Sequence, residues 1–192
     1  MPRTLIRHHA IAAPARREAA GLACLCFQLG DDVCAVPRDQ VREVVTHGEL
    51  IVAPGLPPLL RGAIKLRHSL VPVLDLHPLL GGRPLQPGIA SRVVVVAARW
   101  RDESVLAGLL VDAVGDALDL APGRIEPLAA GRPGADAAVV RGRARMDWGE
   151  LILLDPARVI APEVLAWLEG EVDSPSDAAG GEAAAPPPRR LH

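Results

Sequence analysis

The amino-acid sequence predicts a mainly β protein with two small β subdomains, short helices and one C-terminal helix. Three observations carry that reading. Short apolar runs recur between Gly, Pro and Asp turns, which is how strands punctuate a sequence. Hydrophobic residues make up 49% of the chain, yet it has one Phe, three Trp and no Tyr. The core must therefore be Val, Leu, Ile and Ala, and repeated Val and Ile favour strands. Finally, the second half echoes the first. Leu70-Val71-Pro72-Val73-Leu74-Asp75 resembles Glu150-Leu151-Ile152-Leu153-Leu154-Asp155, and Val41-Arg42-Glu43-Val44 has a counterpart in Val114-Gly115-Asp116-Ala117. Self-similarity of this kind points to two related units.

Residues 1–20 are rich in Ala and Arg without a clear period and read as a flexible extension. Ala23 to Leu29 is the first strand, and Gly30-Asp31-Asp32 turns it into Val33 to Val36. Val41 to Val45 is a third strand. Pro57 to Leu60 reads as one helical turn. Ala63 to Leu66 and Leu70 to Leu74 flank a polar turn at Arg67-His68-Ser69. Asp75 to Leu80 reads as a short helix capped by Asp75 and stopped by Gly81-Gly82. Gly82 to Ala90 is a linker. Arg92 to Ala98, Val105 to Val111, the stretch Asp112 to Leu120, Val139 to Met146 and Leu151 to Leu154 supply the later strands, with a Gly/Pro-rich loop at Ala130 to Ala135. Asp155-Pro156 opens a helix to Leu168, with an N-cap Asp and Pro in its first turn. Residues 169–192 lack an apolar stripe and read as a disordered tail. The expected division is a first subdomain mainly over 21–82, a second mainly over 91–154, and a helix over 155–168.

Composition excludes several classes. A net charge of −2 gives no whole-chain attraction to nucleic acid or anionic lipid. Scarce aromatics argue against a base-stacking surface. Cys24, Cys26 and Cys34 are an odd, closely spaced set, read as small buried hydrophobes rather than a disulfide framework or a zinc site. Arg16-Arg17-Glu18 interrupts any signal-peptide core, and no run is long enough to span a bilayer, so the expected location is cytoplasmic. Phosphate-loop, zinc-protease and nucleophile-elbow motifs are absent, so no catalytic, cofactor or metal residue is assigned.

The order and spacing of several motifs resemble the CheW family, the adaptor of bacterial chemosensory arrays. The motifs are a strand ending in Leu29-Gly30, Val41-x-Glu43-Val44, the Pro-rich stretch Val52 to Pro58, Gly62-Ala63-Ile64-Lys65-Leu66-Arg67, and Val71-Pro72-Val73-Leu74-Asp75-Leu76. The likeness runs from about Gly21 to about Ile160. It implies two packed, five-stranded SH3-like β-barrels and no catalysis. It implies a non-catalytic adaptor between the cytoplasmic hairpin of a chemoreceptor and the regulatory domain of a CheA-type histidine kinase, recruited to membrane-associated receptor arrays without inserting into the bilayer. On this resemblance Glu43 and Arg67 match the family's glutamate and arginine, and Val41, Val44, Gly62, Leu66 and His68 complete the receptor-binding set. An Arg67–Glu43 pair would fix the strand edge. Read from the residues alone, the two charges are solvated strand ends and the apolar members are core. His68 stands where the family has Gly, and Lys65 where Asn is common. These departures keep open a small β-barrel regulatory module of another signalling or surface-motility pathway, and a coupling protein that has lost its receptor role.

Overall fold

The computed structural model describes residues 21–160, apart from 49, 53, 68, 101–102, 122 and 128–138. The expected extension over 1–20, the loop over 130–135, most of the helix beyond Ile160, the tail and His68 lie outside the described residues. Eleven strands form two sheets. They are β1 (Leu22–Leu29), β2 (Asp32–Pro37), β3 (Val41–Thr46), β4 (Leu60–Leu66), β5 (Ser69–Leu74), β6 (Arg92–Trp100), β7 (Glu103–Val111), β8 (Ala113–Leu120), β9 (Ile125–Pro127), β10 (Val140–Met146) and β11 (Gly149–Leu154). A single α-helical turn among the described residues, α1 (Pro156–Val159), follows. Its N-cap Asp155 accepts the Ala157 N–H, as the sequence predicts.

One sheet runs β3-β6-β7-β5-β4 and the other β8-β1-β2-β11-β10-β9. Most strands of each sheet come from one side of Gly82, but each sheet also holds a hairpin from the other side. The β1–β2 hairpin belongs to the sheet of the late strands, and the β6–β7 hairpin to the sheet of the early ones. Each hairpin has two free edges, and the other half of the chain fills them. β8 pairs with β1 and β11 runs parallel to β2; β3 pairs with β6 and β5 runs parallel to β7. The exchange is made possible by short crossings: the 3-10 turn Arg38–Gln40 between β2 and β3, and the single residue Asp112 between β7 and β8. Repetition in a sequence reveals that two units are alike, not which strands complete which sheet.

Burial follows the same plan. Val93, Val94, Val95 and Val96 of β6 are all fully buried. Val94 and Val96 join a core shared between the sheets with Phe27, Leu74, Leu109, Ile152 and Leu154. Val93 and Val95 point the other way, into a second core with Ile64, Val71, Val73 and Leu110. β11 behaves likewise: Leu151 and Leu153 pack with Cys24, Ala35 and Leu120, whereas Ile152 and Leu154 face the shared core. Central strands covered on both faces read as continuous apolar runs, because neither face meets water. The cysteines are free, and burial pushes the Cys24 and Cys26 thiols up to about 11, so both stay protonated near neutral pH.

The early sheet curls onto itself. Ile51 exchanges two backbone hydrogen bonds of 2.8 Å with Ala63, so the chain leaving edge strand β3 returns along edge strand β4. Gly62, at a bulge with φ 136, permits this approach. A Cβ there would lie 2.5 Å from the Ile51 carbonyl oxygen. Pro57 to Leu60 forms a tight turn, with Leu60 N–H donating to the Pro57 carbonyl, in place of the expected helical turn. The residues after Asp75 form the 3-10 turn His77–Leu80, ended by Gly81 at φ 84.

Candidate functional site

The residues singled out by sequence lie on the two edges of the early sheet, and strand parity divides them between its faces. Residues that pair across a ladder share a face, and alternate residues along a strand do too. Val44 pairs with Val94 and Val41 with Val96, so both stand on the face of the shared core. Glu43 pairs with Val95, on the opposite face, because a bulge between Val41 and Glu43 shifts the alternation. Leu66 is half-buried against the core of Ile64 and Val71, also on that opposite face. Gly62 is buried, and the close approach of Ile51 accounts for it. Arg67 is exposed in the two-residue turn between β4 and β5, where Leu66 pairs with Ser69.

Arg67 has φ 53, the only positive φ of a non-glycine residue among those described. Primed hairpin turns require a positive φ at their first central position, because only then does the turn follow the twist of the strands. The positive φ of Arg67 matches that first central position. Glu43 and Arg67 form no ion pair with each other in the described structure, which corrects the expected carboxylate–guanidinium contact.

Sequence reasoning missed a second set of residues. Ile51, Val52 and Leu70 are 48%, 66% and 49% exposed, beside Val44 at 41%. Ile51 pairs with Ala63, which pairs with Pro72, and Leu70 lies two residues before Pro72. Leu70, Pro72 and Leu74 alternate onto one face, and Leu74 belongs to the shared core. Val44, Ile51 and Leu70 therefore extend the face that the other sheet covers farther along. Leu70 pairs with exposed Lys65, and exposed Arg67 lies in the same β4–β5 hairpin. A signal for Leu70 was available: Leu70 and Pro72 share a face, but only Pro72 lies deep enough in the strand to be covered. Ile51 and Val52 gave none, since an apolar pair before Pro54-Gly55 reads equally well as core.

A shallow cavity of about 350 Å³, lined by Gly123, Arg124, Glu126, Arg145, Met146 and Asp147, lies on the other sheet. No three His, Cys, Asp or Glu side chains converge to hold a metal ion among the described residues. No described helix is long and apolar enough to cross a membrane.

The family model for the CheW-like domain matches residues 23–163. The chain belongs to the CheW-like domain family. It is 35% identical over 103 residues to a probable chemotaxis protein CheW of Rhizobium etli, a match spanning 54% of this chain and 64% of that protein. It is 33% identical over 105 residues to Protein FrzA of Myxococcus xanthus, spanning 55% of this chain and 61% of the relative. The chain thus spans a little under two thirds of the length of either protein. Among solved structures it is similar to the scaffolding protein TtCheW from Thermoanaerobacter tengcongensis. That likeness has a TM-score of 0.61 and 27% identity, covering 70% of this chain and 89% of the other. The two-sheet β architecture of the CheW-like family is therefore the architecture of this chain.

Proposed function

We propose that the chain is a non-catalytic adaptor that couples chemoreceptors to a CheA-type histidine kinase. The observation that carries this reading is the CheW-like domain over residues 23–163, with Val44, Ile51 and Leu70 exposed on the early sheet. The receptor's cytoplasmic hairpin would lie against these exposed aliphatics, with Arg67 in the β4–β5 turn. The regulatory domain of the kinase would take other strand edges of the same two sheets. The adaptor would act in the cytoplasm, carried to membrane-associated arrays by its receptor. Control follows from differential affinity, because an adaptor shifts a kinase between states only by binding one of them better.

Reconstitution with a receptor cytoplasmic fragment and a CheA-type kinase tests the reading. The expected outcome is a change in kinase autophosphorylation that depends on this chain, with no phosphate transferred to it. Binding to neither partner by calorimetry would remove the proposal and favour a regulatory module of another signalling or surface-motility pathway.

A further inference from the structure

A buried ionic chain joins the two sheets at one point. Asp75 follows β5, His77 opens the 3-10 turn, and Asp112 is the residue at which the chain crosses from β7 to β8. The His77 Nδ1 lies 2.7 Å from Asp75 Oδ1, and its Nε2 lies 2.7 Å from Asp112 Oδ2. A neutral imidazole has one N–H. Its other nitrogen would direct a lone pair at a carboxylate oxygen, inside a site where only 6% of the His77 side chain meets solvent. Only the imidazolium donates to both.

The surrounding groups are arranged for that charge. Asp75 Oδ1 also accepts the His77 backbone N–H at 3.0 Å, and Oδ2 accepts the Leu85 N–H at 2.7 Å. Arg61 of β4 approaches Oδ2 at 3.3 Å. Asp112 Oδ2 accepts the Gly30 N–H from the β1–β2 turn at 2.7 Å. The charged groups about His77 are thus Asp75 before it, Asp112 from the β7–β8 crossing, and Arg61 behind Asp75. With an imidazolium the cluster is neutral; without the proton it carries a net negative charge in a largely buried site.

We propose that His77 is held as an imidazolium clasp between the two sheets, and that its deprotonation as pH rises weakens the join beside the β1–β2 turn and the linker at Leu85. Hydrogen bonding to Asp75 raises the His77 pKa above its ordinary value, against the opposing effect of burial. Burial alone would raise the Asp75 pKa, but the hydrogen bonds from His77 and Leu85 and the His77 charge outweigh it and hold the carboxyl below its ordinary value. The signs follow. The raised group stabilises the fold fully below the ordinary imidazole range, and that contribution is lost as pH rises through the folded-state value. The depressed carboxyl stabilises above the ordinary carboxylate range, and its contribution is lost as pH falls through its folded-state value.

The test is nitrogen-detected NMR of the full, ¹⁵N-labelled chain, with His77 assigned among the six histidines by comparison with His77→Gln. The expected result is two protonated His77 nitrogens at pH 7 and a titration midpoint above the ordinary value of about 6.5. The Gly30 and Leu85 amides should shift with the same midpoint, and that shift should vanish in His77→Gln. A single-proton tautomer at pH 7, or Gly30 and Leu85 amides that ignore the His77 titration, would overturn the clasp. Should His77→Gln fail to fold, His77→Lys supplies the assignment, and the midpoints in the unaltered chain decide the matter.

Discussion

The β4–β5 and β10–β11 hairpins hold equivalent places in the two sheets and match residue for residue. Each begins at a bulge, between Leu60 and Gly62 in one and between Val140 and Gly142 in the other. Each lies along a bridging segment, Ile51 or β9, and runs its second strand parallel to a borrowed hairpin. Each ends on an Asp after a buried Leu. There the likeness stops. Asp75 is 1% exposed and holds His77, Leu85 and Arg61, whereas the Asp155 side chain is 28% exposed and caps a single helical turn. Two residues on, His77 in one hairpin answers to Ala157 in the other. One backbone frame thus carries a buried ionic junction at one end and a surface cap at the other, and two side chains make the difference.

The largest expected effect separates those two ends. Asp75→Ala leaves the His77 cation buried without one of its two counter-charges and should cost about 3–5 kcal/mol. Asp155→Ala removes only an N-cap and should cost about 1 kcal/mol. Urea unfolding of both variants measures the contrast, and equal losses would abolish the distinction between junction and cap.

The bulge glycines come next. Gly62→Ala combines a positive φ with a Cβ 2.5 Å from a carbonyl oxygen, while Gly142→Ala meets a carbonyl at 2.7 Å without a positive φ. The backbone strain makes the first variant less stable than the second by roughly 1–3 kcal/mol. Similar melting curves for the two would show that the early sheet relaxes at its closure.

Smaller effects are expected at the hairpin turns. Arg67→Ala should change stability by no more than about 0.5 kcal/mol, since the side chain forms no ion pair in the described structure. It should weaken receptor binding by roughly 2 kcal/mol if the guanidinium anchors the receptor. Arg67→Gly should lose the same binding and gain up to about 1 kcal/mol in stability, because glycine tolerates the positive φ. Calorimetry with a receptor fragment, beside thermal melting, separates the two properties. The smallest effect is a coupling. Glu43→Ala and Arg67→Ala should add within about 0.5 kcal/mol in stability, as unpaired residues do.

The strands were legible because their signals are local. The run from Val93 to Val96, the turn at Gly30 and the cap at Asp155 each depend on neighbours in the chain. The resemblance to the adaptor family rested on such segments too. What escaped depends on partners distant in sequence. Nothing around Val33 discloses Leu151 as its parallel neighbour. A one-residue bulge turned Glu43 and Val44 to opposite faces from those that uninterrupted alternation with Val41 would give. Gly62 looked like a groove residue, and only the carbonyl of Ile51 explains it. Nothing near His77 in the sequence signals its burial, because Asp112, which bonds its Nε2, arrives from the crossing between β7 and β8.

The exchange of hairpins also governs the order in which the molecule can be made. Strands β1 and β2 leave the ribosome first, yet the rungs that finish their sheet run from Val33, Cys34 and Ala35 to Leu151, Ile152 and Leu153 at the far end. Until those residues emerge, the first hairpin has no neighbour on its β2 side, and the apolar faces of Cys34 and Val36 wait in water. Neither half of the chain, synthesised alone, contains a complete sheet. A nascent chain halted before β11 therefore lacks the strand that covers the β2 edge of the first hairpin, and that sheet is completed only once β11 has emerged.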